Sequence, residues 1–176
     1  TSVAILEVLK AKGLIKPANA AAGLSLGEYT ALYAAGIVSF EDGLKLVHKR
    51  GQAMQAAADA SKGSMVSIIG LEQDAVEKLC SQAAQGELLS CANFNCPGQI
   101  VITGSIDACR RALELAEKYG AMKAVELKVA GAFHSPMMQP AADELKAAIA
   151  QCRINDLKDI AVIANVNADY YKNKDE

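Results

Sequence analysis

The stretch AAGLSLGEYTALYAAG, residues 21–36, sets Ser25 between Gly23 and Gly27 and follows them with a run that reads as helix. Just before it, PANAAAG (17–23) is a run of small apolar residues that suits a short buried strand. Strand, sharp turn and helix around a serine form a nucleophile elbow, in which the serine takes a strained backbone conformation and presents its hydroxyl. The residues two before and two after it must be small, because side chains there would collide where strand and helix meet. Gly23 and Gly27 meet that demand. The helix also aims its first N–H groups at the serine, where they can stabilise an oxyanion. Chance supplies such a motif in about one chain in twenty of this length, so its context has to carry the reading. The same residues also fit a glycine-rich turn that only packs a strand on a helix.

A serine nucleophile needs a base. The chain has two histidines, His48 and His134. His48 stands beside Lys49 and Arg50 on a helical stretch and reads as a surface residue. His134 lies in AGAFHSPM (130–137), a loop with Gly131 and Pro136, and loops so placed often carry function. A plain helix-capping histidine fits that position as well.

Outward from the elbow, residues 2–12 have helical spacing and Gly13 as a stop. The helix after Ser25 closes at Gly36, and Ser39 with Asp42 resembles a capping box opening a long helix to about residue 60. The texture then changes. SMVSIIG, EQDAVEKLCSQAA, ELLSCANF, QIVITG, IDACRRALELAEKYG and MKAVELKV read as strand, helix, strand, strand, helix and strand over residues 64–129, with NCPG as the turn between the second and third strands. That order is the ferredoxin-like arrangement. A helix with Pro136 near its start and a buried strand, IAVIANV (160–166), close the chain. The expected architecture is α/β: a parallel-sheet domain carrying the elbow, over residues 1–62 and 130–176, with a β-α-β-β-α-β subdomain inserted at 63–129. The outer frame has two parallel strands, too few for a stable open sheet.

Composition narrows the function. The 176 residues are 52% apolar and 22% charged with a net charge of −2, which suits a globular domain and gives no electrostatic reason for a nucleic-acid partner. No apolar run approaches the ~18 residues of a membrane helix, and the first residues do not read as a signal peptide. Cys80, Cys91, Cys96, Cys109 and Cys152 are odd in number and lack Cys-x-x-Cys spacing. They read as buried free thiols in a reducing compartment, with no metal site expected.

Three segments together, GLSLGEYTALYAAGIVSFEDGLKLVHKRGQAMQ, NFNCPGQIVITG and VAGAFHSPMMQPAADELKAAI, resemble the malonyl-CoA:acyl carrier protein transacylases of fatty-acid synthesis, in this order and across essentially the whole chain. The resemblance implies a hydrolase-like α/β domain with a ferredoxin-like insert. It implies that Ser25 becomes the malonyl ester, that His134 is the general base and that Leu26 gives its backbone N–H to the oxyanion hole. Arg50 would hold the malonyl carboxylate, for which a planar guanidinium is suited. Met54 would line the same pocket, and Phe133 would be the bulky residue of malonyl-selective members. Malonyl-CoA and acyl carrier protein are the implied partners, with no metal or redox cofactor. The implied setting is the cytoplasm of a bacterium or a plastid stroma, with a monomeric full-length protein. Leu24 stands where most members have histidine. The family's opening strand with its Gly-Gln-Gly type loop, and its later glutamine-bearing loop, have no counterpart here, so the chain reads as the middle of the enzyme.

Two rival readings remain at this level. A serine esterase or thioesterase would need an acid between serine and histidine, and Asp59 and Asp74 are candidates. A catalytically silent piece that only binds carrier protein would need neither.

Overall fold

The computed structural model describes residues 1–175. The chain divides into two compact units, Thr1–Arg50 with Leu145–Glu176, and Gly51–Glu144. The long helix α3 (Phe40–Ala60) and helix α6 (Gln139–Ile149) each run across a division.

In the first unit, helix α1 (Ser2–Ala11) ends at Lys12 and Gly13, whose φ of 63° is open to glycine at little cost. Strand β1 (Ala20–Ala22) leads into helix α2 (Leu26–Ala34). Ser39 Oγ accepts from Asp42 N–H at 3.0 Å, so the expected cap of α3 forms. After α6, strand β6 (Ala161–Ile163) pairs in parallel with β1, Ala21 opposite Val162. Fully buried Val162 meets Ala31, Ile37, Val38 and Leu46 in the core of this unit.

The second unit holds strand β2 (Gly63–Ile69), helix α4 (Gln73–Ala84), strands β3 (Leu89–Cys96) and β4 (Gln99–Ser105), helix α5 (Ile106–Ala116) and strand β5 (Lys123–Glu126). The four strands form one antiparallel sheet in the order β3-β4-β2-β5. Period-two alternation sends Val66 and Ile68 of β2, with Ile100 and Ile102 of β4, to one face. There they pack against Val76 and Leu79 of α4 and Ala108 and Ala112 of α5. Ser105 opens α5 by accepting from Ala108 N–H at 3.2 Å.

Three details depart from the sequence reading. The closing strand, expected over residues 160–166, is confined to Ala161–Ile163, and Val166 beyond it is exposed. Strand β5 is four residues long and stops at Glu126, where the reading carried it to Val129. Leu127 N–H adds one more bond to Met65 O, and Val129 N–H then folds back onto Leu127 O, which ends the ladder. The cysteines are all free, but only Cys80 and Cys109 are buried, and Cys96 is exposed at the β3–β4 hairpin. The Cys80 thiol hydrogen-bonds Cys91, which lowers Cys91 from the ordinary thiol value and raises Cys80. Burial pushes Cys109 up to about 11. Among the described residues no helix is long and apolar enough to cross a membrane.

Candidate active site

The elbow is present in the backbone. Ser25 follows β1 and precedes the first residue of α2, with φ 48° and ψ −104°. A non-glycine residue held there carries strain of order 1–3 kcal/mol, so the neighbours must over-determine it. Gly23 is one such neighbour. A Cβ on Gly23 would lie 2.0 Å from the carbonyl carbon of Gly27 and 2.5 Å from the nitrogen of Glu28. Strand end and helix start therefore approach as closely as backbones can. The crowding is one-sided, since a Cβ on Gly27 would meet nothing within 4 Å. The expectation that both glycines answer to the same collision is corrected: the contact is Gly23 against the backbone of residue 27, and residue 27's own side-chain direction is open.

Ser25 occupies the N-cap position of α2 without capping it through its side chain. A serine there ordinarily accepts from an N–H of the first turn. Its Oγ instead accepts from Arg50 Nη2 at 2.7 Å. Arg50 sits on α3, 25 residues on, and both groups are half-buried. The face of Tyr29, the fourth residue of α2, backs the guanidinium, with the Arg50 carbon 5.8 Å from the ring centroid. Burial raises the Tyr29 phenol above its ordinary value, and the Arg50 charge pulls it the other way. Ser25 N–H donates to Asn165 Oδ1 at 2.7 Å. Asn165 follows β6, so both parallel strands end at the elbow. Between those ends runs an open groove of about 310 Å³, reaching from Gly23 and Leu24 to Ile163, Asn165 and Ala168. The carboxyl ends of parallel strands are where α/β sheets take their ligands.

The acyl transferase domain family matches residues 1–172. The chain belongs to this family. It is similar to the malonyl CoA-acyl carrier protein transacylase of Bacillus subtilis, 44% identical over 99% of this chain and 54% of that protein. It is similar also to that of Escherichia coli K12, 40% identical over 99% of this chain and 56% of that protein. Among solved structures, the malonyl CoA-acyl carrier protein transacylase of Coxiella burnetii superposes with a TM-score of 0.91 at 43% identity, over 97% of this chain and 53% of that one. A malonyl-transacylase solved in complex with a type II polyketide acyl-carrier protein superposes with a TM-score of 0.90 at 38% identity, over 97% of this chain and 54% of that one. The chain thus spans about half the length of the relatives it matches.

Within this acyl transferase chain the expected residues fall as follows. Ser25 and Arg50 are brought together in the first unit. Leu26 is the first residue of α2. Met54 and Phe133 belong to the second unit and pack on one cluster formed by Ala53, Ala57, Ala58, Met138 and Ala141. His134, also of the second unit, is exposed and has φ 57°. It does not cap the turn that follows: Ser135 takes that role, its Oγ accepting from Met137 N–H at 3.2 Å. His48 is exposed on α3, as its charged neighbours suggested. Asp59 is engaged by its own helix, accepting from Gln55 Nε2 at 2.8 Å, and Asp74 lies in the first turn of α4. Tyr29, Glu28 and Asn165 were missed. For Tyr29 a signal existed, since α3 and α2 both carry members of the site. Asn165 is tied to Ser25 across 140 residues, and no local pattern reports such a bond.

Proposed function

We propose that the protein carrying this chain moves a malonyl group from malonyl-CoA to the phosphopantetheine thiol of acyl carrier protein, through a malonyl ester of Ser25. The observation that carries this reading is the pairing of a strained elbow serine with a guanidinium 2.7 Å from its Oγ. The serine offers a nucleophile, and the cation beside it offers a fixed partner for the free carboxylate of a dicarboxylic acyl group.

In the first half-reaction Ser25 Oγ attacks the thioester carbonyl carbon and gives its proton to His134. The oxyanion is met by Leu26 N–H at the start of α2. The C–S bond then breaks, and the CoA sulfur leaves with the proton from His134. In the second half the carrier thiol loses its proton to His134 and attacks the ester, and Ser25 recovers its proton as leaving group. Arg50 holds the carboxylate through both halves, Met54 lines the acyl pocket and Phe133 limits its size. Nothing in these steps calls for a metal or redox cofactor. Water must be kept from the ester, since hydrolysis competes with transfer. In fold terms, we read residues 1–62 and 130–176 as a hydrolase-like catalytic subdomain and 63–129 as a ferredoxin-like insert, a reading supported by the strand order β3-β4-β2-β5. By the same family resemblance the setting is the bacterial cytoplasm or a plastid stroma.

Intact-mass measurement after mixing with malonyl-CoA tests the reading. A single malonyl adduct is expected, absent in Ser25→Ala and removed by carrier protein bearing its phosphopantetheine arm. An adduct that persists on Ser25→Ala overturns the assignment of the nucleophile. An adduct lost to water but never to carrier protein overturns transfer in favour of an esterase.

A further inference from the structure

The loop after β6 does more than follow a strand. Its first polar residue, Asn165, faces the elbow with its side-chain oxygen and its backbone N–H. The side-chain Oδ1 accepts from Ser25 N–H at 2.7 Å, and the backbone N–H donates to Glu28 Oε1 at 2.7 Å. The same Glu28 oxygen accepts from the Tyr171 hydroxyl at 2.9 Å. Glu28 lies in the first turn of α2, and its own N–H reaches Ser25 O at 3.3 Å. A closed ring results: Ser25 to Asn165, Asn165 to Glu28, Glu28 back to Ser25. The loop is itself pinned. Ala164 N–H bonds Asp169 O, Ala168 N–H bonds Ala164 O and Tyr171 N–H bonds Val162 O.

We infer that Asn165 and Glu28 are positioning residues that hold Ser25 in its strained conformation and so set the reactivity of its hydroxyl. The inference rests on the assignment of Ser25 as nucleophile. Ser25 at φ 48° would relax toward ordinary backbone space if nothing opposed it. Gly23 permits the turn, but permission is not restraint. The two charge-assisted bonds at Glu28 fix the loop to the helix, and the fixed loop presents Oδ1 to the Ser25 N–H, whose direction changes when Ser25 relaxes. Losing that acceptor lets the backbone rotate, and Oγ moves with it. The bonds of Asn165 and Glu28 go to Ser25, Tyr171 and each other, so the first effect of losing them falls on the nucleophile.

The test is a variant series in the protein, read with malonyl-CoA and with a fluorophosphonate, which reacts with an activated serine whatever its acyl preference. Asn165→Ala is expected to lower the acylation rate constant about 10- to 100-fold, with KM for malonyl-CoA within about twofold. Fluorophosphonate labelling of Ser25 should fall by the same factor. Glu28→Leu should do likewise. Glu28→Gln, whose amide oxygen can still accept from Asn165 and Tyr171, should recover rates to within about threefold. Circular dichroism and melting select the variants that fold, and Glu28→Gln keeps the test alive if Glu28→Leu does not. Asn165→Ala labelling as fast as wild type overturns the inference while the acyl transfer reading stands. So does a loss that appears in KM alone, or a Glu28→Gln as slow as Glu28→Leu. Wild-type protein that takes fluorophosphonate but no malonyl group overturns the acyl transfer reading, and the labelling rates still decide the inference. A wild-type Ser25 that reacts with neither overturns both.

Discussion

The antiparallel sheet buries Val66, Ile68 and Ile102 completely beneath two helices, whereas the parallel sheet consists of two strands of three residues each. The first is held by volume. Its fourteen-residue buried cluster is built from aliphatic side chains, alanines and two cysteines, and any of several sequences of similar size could fill it. The second is held by exact backbone placement: one glycine without room for a methyl, one serine in a strained conformation, and single hydrogen bonds from residues far along the chain. The difference is one of tolerance. A packed sheet spreads its energy over many contacts, while an elbow concentrates its requirement in two or three atoms. Stability and chemistry should therefore come apart under mutation.

The widest separation is expected at the two glycines of the motif. Gly23→Ala places a methyl 2.0 Å from backbone that cannot give way, at a cost above about 4 kcal/mol, and acylation by malonyl-CoA should be lost. Gly27→Ala puts its methyl into open space on a helix, where alanine is favoured over glycine by about 1 kcal/mol. It should acylate at close to the wild-type rate and melt no lower. Equal damage from both would mean that residue 27 is kept small for a ligand and not for the turn.

Leu79→Ala probes the other region. Leu79 is fully buried in the helix-covered face of the antiparallel sheet, and its truncation should cost about 2–5 kcal/mol in denaturant unfolding. Below its transition the variant should acylate Ser25 within about twofold of wild type. A rate that falls with the stability would break the comparison, because the packed region would then be setting the geometry of the elbow.

The two regions were also unequally legible. The β-α-β-β-α-β order can be read because short apolar strands such as SMVSII and amphipathic helices such as AVEKLCSQAA announce themselves within a few residues, and Gly98 at φ 74° marks its hairpin. Ser25 is legible for a different reason, because the steric demand at Gly23 is written two residues away. Legibility stops where the interaction is long-range. The Arg50 guanidinium lies on a helix among Lys49 and His48 and reads as surface charge unless a related family is in view. Asn165 reads as part of the closing apolar strand, and its value comes from a partner 140 residues distant. The end of β5 was misread for another reason: β2 runs on to Gly63, but Val129 N–H turns back onto Leu127 O, so the strand stops before its own apolar alternation ends.

Arg50→Ala should act on substrate choice. If Arg50 holds the malonyl carboxylate as proposed, losing that charge-assisted partner is worth about 1.5–3 kcal/mol, or roughly ten- to a hundred-fold in rate, and leaving the carboxylate unpaired pushes the loss upward. An acetyl group has no carboxylate to lose. The ratio of malonyl to acetyl transfer should fall by that factor, while an equal loss for both would assign Arg50 to holding Ser25 alone, through the bond already made to Oγ.

The finest distinction lies at Tyr29, where the elbow region borrows a little of the packed region's manner. Its ring stands 5.8 Å from the Arg50 guanidinium carbon and offers an aromatic face where other residues of the site offer single atoms. A cation over such a face gains about 0.5–1 kcal/mol at a partly exposed position. Tyr29→Leu should therefore lower the malonyl-to-acetyl ratio by about two- to fivefold, in the same direction as Arg50→Ala and well short of it. Tyr29→Phe keeps the face and should keep the ratio. The phenol itself has little to add, because burial raises it above its ordinary value and keeps it neutral through the pH range in which the thioester survives. The effect of Tyr29→Leu should accordingly be the same at pH 6 and pH 8, whereas a phenolate beside Arg50 would make it grow with pH. If Tyr29→Phe loses as much as Tyr29→Leu, the hydroxyl and not the face holds the guanidinium, and Arg50 is then positioned, like Ser25, by single polar atoms.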